Sequence, residues 1–578
     1  VNERVVVRLL SANQGNGPTV RARQAAQTLR NQWPIGVVNI RRAGRGYQVM
    51  ADGALFVAVT RAEARAHGSN PRTLAVGWAS RLRAAVAVPP LTVADTWIRV
   101  PVGETRSLSV GGSLARFAES GSDNGEVARA RLEGNSLRIQ GISTGDATIT
   151  VQAGSHTRTV RVDVRPFAAS FPQYLSASVI GSPTAASMVQ GAIESAIRQQ
   201  FKALPEANFS WNLRPTSALG LGNAQTYVVP VTVKAPGAIE RTGSVHVTVR
   251  NLGVGRDSDA ELWYCNYPEN VKFPQHLFSA RLKRTAPARM LYHHINDSSQ
   301  PMVIRVQVVN DSDQPARIGV IPGDSAPDKN PVLAGIQAAE QYVRSYLWWS
   351  GEAIDLPPNS SFSVSFRRIG PQETMSGLCS LRILAGPDSV LVRTDAIPAF
   401  AAEGKWAAAQ RSSTPWREIG IQPASELDRT RFPLSQHVYP NPYKRDEVAN
   451  YRVGDRHAFV RVGERAIARQ DNESVLSGNF GVFYTVRAEI ENPTNEAAVV
   501  DVSFIPSAGY SGGLFVVNGN LVRSPLLQAQ SSWRITRLRL DPGQRRSINL
   551  TTVPLSGSSY PITLQIGATG AVAATSLR

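Results

Sequence analysis

Lysine is almost missing from this chain: only seven of its 62 basic residues are lysine, and the rest are arginine. Cysteine occurs twice in 578 residues and histidine eight times. Two cysteines exclude both a disulfide-dense scaffold and a cysteine-based zinc cluster. They leave two readings open for Cys265 and Cys379: a single bridge, or two buried thiols. No apolar run approaches the roughly 20 residues needed to cross a bilayer as a helix, and no charged-then-apolar segment opens the chain. The chain begins at Val1, without methionine. The expectation is a protein that works outside the cytoplasm after loss of a leader.

Against these absences stand 42% hydrophobic residues, 18% charged residues, 46 glycines and 37 prolines, the composition of a folded, turn-rich protein of many short strands. The length predicts three to five domains. The net charge of +18 is spread along the chain, the densest run being ARLKR at 280–284. Nucleic-acid proteins concentrate cations in a stripe interleaved with aromatics, so no specific nucleic acid is expected. A basic surface of this kind suits an anionic glycan, lipid headgroups or an acidic protein partner.

Periodicity divides the chain. Residues 1–88 read as a small α+β domain: VVVRLL is apolar, Pro18 starts a helix running through Leu29, and GYQVMADGALFVAVT is a hairpin turning at Asp52-Gly53. Asn70 and Pro71 start a second helix, with Leu74, Trp78 and Leu82 on one stripe. After Pro89-Pro90, residues 91–166 switch to strict alternation in VGETRSLSV, LRIQGI, DATITVQAG and TVRVDV, the pattern of a small β-sandwich.

That stretch resembles the bacterial immunoglobulin-like domain of the BIG2 type, and equally the N-terminal domain of secretins that serve pilus assembly. Gly103, Val127, Ala128, Gly145 and the alternating Ala147, Ile149 and Val151 carry the resemblance. It implies an extracytoplasmic β-module used in adhesion or envelope assembly, without catalysis.

Residues 167–257 read as a second small α+β domain, with a strand, a helix from Ser182-Pro183 to about Leu204, and three strands. The second half holds an approximate internal repeat. VQVVNDSDQPARIGVI parallels AEIENPTNEAAVVDVSFI, and IDLPPNSSFSVSF parallels LRLDPGQRRSINL. Asn310 precedes Pro357 by 47 residues and Asn492 precedes Pro542 by 50. Two β-sandwiches follow, 258–400 and 430–578, similar in pattern to CARDB-type extracellular immunoglobulin-like modules. The first carries a helical insertion over 330–349, ending in Trp348 and Trp349, which either plugs one end of the sandwich or offers an aromatic platform to a glycan or partner chain. Residues 401–429 lack a strand period and read as a linker or arm. The fold class is therefore mainly β and multi-domain, with three Ig-like sandwiches and two small α+β domains in the N-terminal half.

Catalytic strings are few. GYSGG at 509–513 fits the serine elbow, but a strand follows it and no histidine lies beyond His457. GDSAP at 323–327 has Ala326 where a protease serine loop needs glycine. GLGNAQ at 220–225 lacks the third glycine of a dinucleotide fingerprint. The adjacent His293 and His294 point to opposite faces if the segment is a strand, so they would not share one metal. No catalytic residue, cofactor or metal is expected, although a glycosidase carboxylate pair leaves no short motif. The resulting expectation is a non-enzymatic structural or assembly protein of a bacterial envelope, such as a surface layer, filament, pilus or secretion-associated complex, whose partners are other protein subunits. A polysaccharide-binding adhesin and a glycan-active enzyme are the alternatives. The terminal segments 1–20 and 566–578 are candidates for strand pairing with another chain.

Overall fold

The computed structural model describes the chain except residues 254–259, 403–405, 407–408, 411, 413, 441–443 and 570–578. It divides into two compact units, Val1–Ala168 with Lys234–Arg241, and Ala169–Val233 with Thr242–Arg578. The protein is mainly β and multi-domain, as its alternating sequence predicts.

The first unit opens with helix α1 (Pro18–Asn31), a three-stranded antiparallel sheet in sequence order over 38–59, then α2 (Arg61–Ala66) and α3 (Pro71–Ala87). Each boundary has a local cause. Pro18 and Pro71 occupy the first helical positions, and the Asn70 side chain accepts from the Thr73 N–H at 2.9 Å. Asp52 and Gly53 both take positive φ, 44° and 81°, which the tight hairpin turn requires. Ala75, Trp78, Ala79 and Leu82 of α3 bury against Val49, Val57 and Val59 of the sheet. The rest of this unit is a sandwich of two four-stranded sheets enclosing Val100, Leu137, Ile139, Ile149, Val151 and Val162. A Cβ on Gly145 would meet Val127 Cγ2 at 2.9 Å, which explains why these two positions pair in the sequence pattern.

In the second unit, the main strands of 167–257 continue into one of the two sheets of 258–400, giving one eleven-stranded sheet. Tyr174–Ile180 joins them, pairing in parallel with Arg241–Asn251 on one side and antiparallel with Gly351–Leu356 on the other. Helix α4 (Ala186–Gln200) begins later than Ser182-Pro183, because Thr184 is engaged in a β-bridge with Leu219. A five-stranded sheet built on Gln275–Lys283, Met302–Asn310, Ser360–Ile369 and Ser389–Pro398 covers one face of the long sheet. The insertion helix α5 (Pro331–Leu347) lies on the other face, capped by the Asn330 side chain, which accepts from Val332 and Leu333. It packs there together with the C-terminal sandwich of a five-stranded and a four-stranded sheet. The central strand Ala288–Asn296 is thus buried on both faces: Met290 and Tyr292 enter one core while Leu291 enters the other.

The two stretches that read as repeats hold equivalent strands. Met302–Asn310 and Ala316–Ile321 lie in opposite sheets of the first sandwich, as Phe483–Glu491 and Ala498–Pro506 do in the second. The Asn turn is the shared device. The Asn310 amide donates to the oxygens of Gln314, Leu356 and Pro357, and the Asn492 amide to those of Glu496, Leu540 and Asp541. One side chain closes its own turn and pins a second, distant turn at Leu356-Pro357 in the first copy and Leu540-Asp541, the residues just before Pro542, in the second, so hydrogen bonds set the interval between the two turns. A third turn of the same build, Asn296 to Gln300 with Ser298 in the middle, was not legible as a repeat.

Candidate functional site

The segment 401–429 is not a free arm where it is described. Helices α6 (Pro415–Ile419) and α7 (Glu426–Arg429) and the short pair Gln422–Pro423 run against the five-stranded sheet, with Trp406 stacked on Phe366 at 4.8 Å. Buried charges hold it there. Arg367 binds Asp324 through Nε at 2.8 Å and spends its remaining N–H groups on the oxygens of Ala409, Gln410 and Ser412. Arg305 reaches Asp428 at 2.8 Å, and Arg417 pairs with Glu352, which also accepts from the Trp416 indole. Burial raises the Asp324 carboxyl above its ordinary value despite Arg367, Ser365 and Tyr292. This Asp324 is the aspartate of GDSAP. The neighbouring Ser325 is fully buried and exchanges hydrogen bonds with Ser376, so the string is a structural turn.

A serine–histidine–aspartate relay occurs in the same layer and was not found by sequence reasoning. His276 Nε2 lies 2.6 Å from Ser279 Oγ and its Nδ1 lies 3.0 Å from Asp395 Oδ1. The distances are those of a nucleophile, base and orienting acid. The surroundings are different. Ser279 sits inside a strand and is 2% exposed, its N–H donates to the Ser435 hydroxyl, and its carbonyl accepts from the Ser435 N–H. The His276 ring is stacked on Phe432 at 4.0 Å. Arg393 binds both oxygens of Asp395, at 2.6 and 2.7 Å. Burial works to raise the Asp395 carboxyl, but hydrogen bonds from His276 and Arg393 hold it below the usual carboxylate range. As arranged, no substrate reaches Ser279 and its own N–H cannot serve an oxyanion. The relay ties the 430–435 strap to the sandwich. The detectable signal was an Arg and an Asp interrupting the apolar strand SVLVRTDAIP.

The residues singled out from sequence are dispersed. Cys265 and Cys379 are buried thiols and not a bridge. Their strands flank Ala288–Asn296 on opposite sides, with Cys265 opposite Tyr292 and Cys379 opposite Met290. Two strand spacings separate the cysteines by about 10 Å, beyond the roughly 7 Å limit for a disulfide. Burial pushes the Cys265 thiol up to about 12. His294 Nδ1 donates to the Pro268 carbonyl at 3.0 Å, which leaves Nε2 to accept from Cys265 Sγ at 3.2 Å. His293 points to the other face, and neither of its ring nitrogens has a hydrogen-bond partner. Burial lowers His293 to about 3 and His294 to about 4, so both are neutral imidazoles at physiological pH. Among the described residues no group of three potential ligands could hold a metal ion. Ser511 is fully buried and donates to the Ser559 carbonyl. Trp349 is buried edge-on against Tyr346 while Trp348 is 58% exposed, so the two rings do not form a platform. The first residues are also occupied: Asn2 donates to Ala85 and Val88, and Leu10 donates to Glu63, which Arg21 neutralises. From residue 570 on, the C-terminal segment named for strand pairing lies outside the described residues.

The joint within the second unit is its most concentrated use of buried polar chemistry. Arg289, on the central strand, is fully buried; it donates to Gly481 O at 2.9 Å, Tyr342 OH at 3.0 Å and Tyr346 OH at 3.2 Å. Its guanidinium lies 4.8 Å from the Phe483 ring centroid. One residue of the first sandwich therefore binds α5 and the second sandwich together. Gly335 of α5 approaches Ser556 so closely that no Cβ would fit, and Gly557 does the same at Pro331.

No family model and no curated protein matches the chain. Solved structures show local likeness. Domains 4 and 5 of the S-layer protein SbsC match at 21% identity over 13% of this chain and 51% of that one, with a TM-score of 0.13. The chain thus spans about half the length of that structure. SbsC domains 4–9 match at 13% identity over 39% of this chain and 37% of that one (TM-score 0.14), and the titin Ig tandem A164-A165 at 8% over 28% and 97% (TM-score 0.13). At these TM-scores the likenesses carry no functional argument.

Proposed function

We propose that this chain is a non-enzymatic structural protein of an extracytoplasmic bacterial assembly, a surface layer, filament, pilus or secretion-associated complex, working through contacts with other subunits. The joint at Arg289 carries this reading. A binding or catalytic protein concentrates convergent polar groups on a cleft, whereas here the charged groups Arg289, Arg367, Arg393, Asp324 and Asp395 are spent on fastening one part of the fold to another. No helix among the described residues is long and apolar enough to cross a membrane. The sandwich at 91–166, with its BIG2-like or secretin-like pattern, supports the envelope setting. Burial of Trp349 removes one of the two tryptophans that the adhesin alternative offered, beside the tyrosines, as a stacking platform.

The test is the native particle. Chemical cross-linking of the protein in its source envelope, with mass spectrometry of the products, is expected to give intermolecular links to a small set of partners or to other copies. A monomer without such links, retained on a glycan matrix, would favour the adhesin reading instead.

A further inference from the structure

The charge of this chain is unevenly distributed. Residues 1–88 contain 13 arginines, no lysine and three carboxylates (Glu3, Asp52 and Glu63), a net charge of +10, whereas the remaining 490 residues supply only +8. Of those arginines only Arg21 is buried, paired with Glu63. Among the described residues, none of the other twelve lies within ion-pair distance of a carboxylate. In the neighbouring sandwich, five of the nine arginines of 91–166, Arg99, Arg106, Arg129, Arg138 and Arg165, face an acidic partner. Twelve exposed cations with no carboxylate facing them on one small domain create a field that attracts anions.

One end of the same domain is apolar. The loop after α1 and the tip of the hairpin meet there: Thr28 Oγ1 donates to Leu55 O, Asp52 N donates to Val37 O, and the Asp52 carboxylate accepts from the Gly36 and Val37 N–H groups. Asp52 is thereby occupied. Trp33, Val37 and Leu55 project at this tip, 48%, 60% and 44% exposed. Arg30 stands three residues before Trp33, and Arg83 is anchored beside Val37 through two hydrogen bonds to Val38 O.

We infer that the N-terminal domain is a peripheral membrane anchor, its tip residues Trp33, Val37 and Leu55 entering the headgroup layer of an anionic bilayer while Arg30 and Arg83 beside them hold lipid phosphates and the domain's net charge of +10 draws it to the surface. The combination selects this partner. A polyanionic strand would call for several aromatics interleaved along the basic surface, but Phe56 and Trp78 are buried, Trp33 stands at the tip among aliphatics, and the half-buried Tyr47 is the single aromatic paired with the arginine-bearing strand. A lone tryptophan beside aliphatic residues, flanked by Arg30 and Arg83 on a strongly basic domain, is the chemistry of the membrane interface. Each cation near an anionic leaflet strengthens attachment about fivefold. The inference adds an attachment mode to the envelope reading, and its failure would leave the cross-linking test of assembly unaffected.

The experiment is sedimentation of the full chain with vesicles of phosphatidylcholine alone or with 30% phosphatidylglycerol, a composition on the order of natural anionic membranes. Binding is expected to the anionic vesicles only and to fall steeply with salt. Trp33→Ala with Val37→Ser should weaken it at least about fivefold at unchanged melting temperature, and Arg23→Gln with Arg30→Gln should lower both affinity and salt dependence. Three results would overturn the inference: no binding to anionic vesicles, equal binding by the tip variant, or binding to soluble dextran sulfate as tight as to vesicles and indifferent to Trp33.

Discussion

Arg289 of the first sandwich donates a hydrogen bond to the backbone oxygen of Gly481 in the second, 192 residues away, at 2.9 Å and with no exposure to solvent. Arg289→Met would keep most of the volume and remove every guanidinium donor, taking one hydrogen bond each from Gly481 O and the Tyr346 and Tyr342 hydroxyls, the last of which keeps its bond to Ser380. The expected cost is about 3 kcal/mol. Urea unfolding of the variant should separate the C-terminal sandwich into its own earlier transition, whereas the parent melts the second unit as one.

The Asn turns predict equal penalties at positions far apart. Asn310→Ala and Asn492→Ala each remove one amide that serves three carbonyls. Each should cost about 2 kcal/mol, measured by denaturant titration. Asn310→Asp should be no better, because a carboxylate cannot donate to those oxygens.

Two buried neutral histidines predict an acid limit. The folded values of His293 and His294, about 3 and about 4, lie below the unfolded value near 6.5, so the unfolded chain binds more protons between those limits. Stability should be level above pH 7 and fall below 6.5, by up to about 1.4 kcal/mol per pH unit for each histidine, until the folded values are reached. Below about 4 the depressed Asp395 adds a loss of the same sign. Thermal melts of His294→Gln between pH 7 and 4.5 should show a shallower decline than the parent, the remainder coming from His293 and from His437, which burial also lowers.

Ser279 predicts inertness. A fluorophosphonate probe should not label the folded protein, because the hydroxyl is enclosed beneath the Ser435 strap. Ser279→Ala should cost about 1 kcal/mol through the lost bond to His276. Labelling at Ser279 would show that the strap opens and that the relay is reactive.

Legibility in the sequence followed burial. Where a sheet has one face in a core and the other in water, alternation is plain, and the strands of 91–166 could be read directly. The helix starts at Pro18, Pro71 and Pro331 were also legible, because caps and first-turn prolines act locally. Ala288–Asn296 could be read as a strand ending in an Asn turn, but not as one buried on both faces, since its two-core role depends on α5 and on residues nearly 200 positions away. The His276–Ser279–Asp395 relay escaped for the same reason: its members are 3 and 119 positions apart, and only strand pairing brings them together. The spacing from Asn to Pro in the repeat was visible, but its cause, one amide pinning two turns, was not.

The proposed function is the joining of other subunits. Imaging of the native particle by cryo-electron tomography with subtomogram averaging tests it most directly. The account predicts this chain in a repeating array or defined complex, with neighbours sharing more than about 1,000 Å² of interface. Isolated copies bearing no such interface would contradict it.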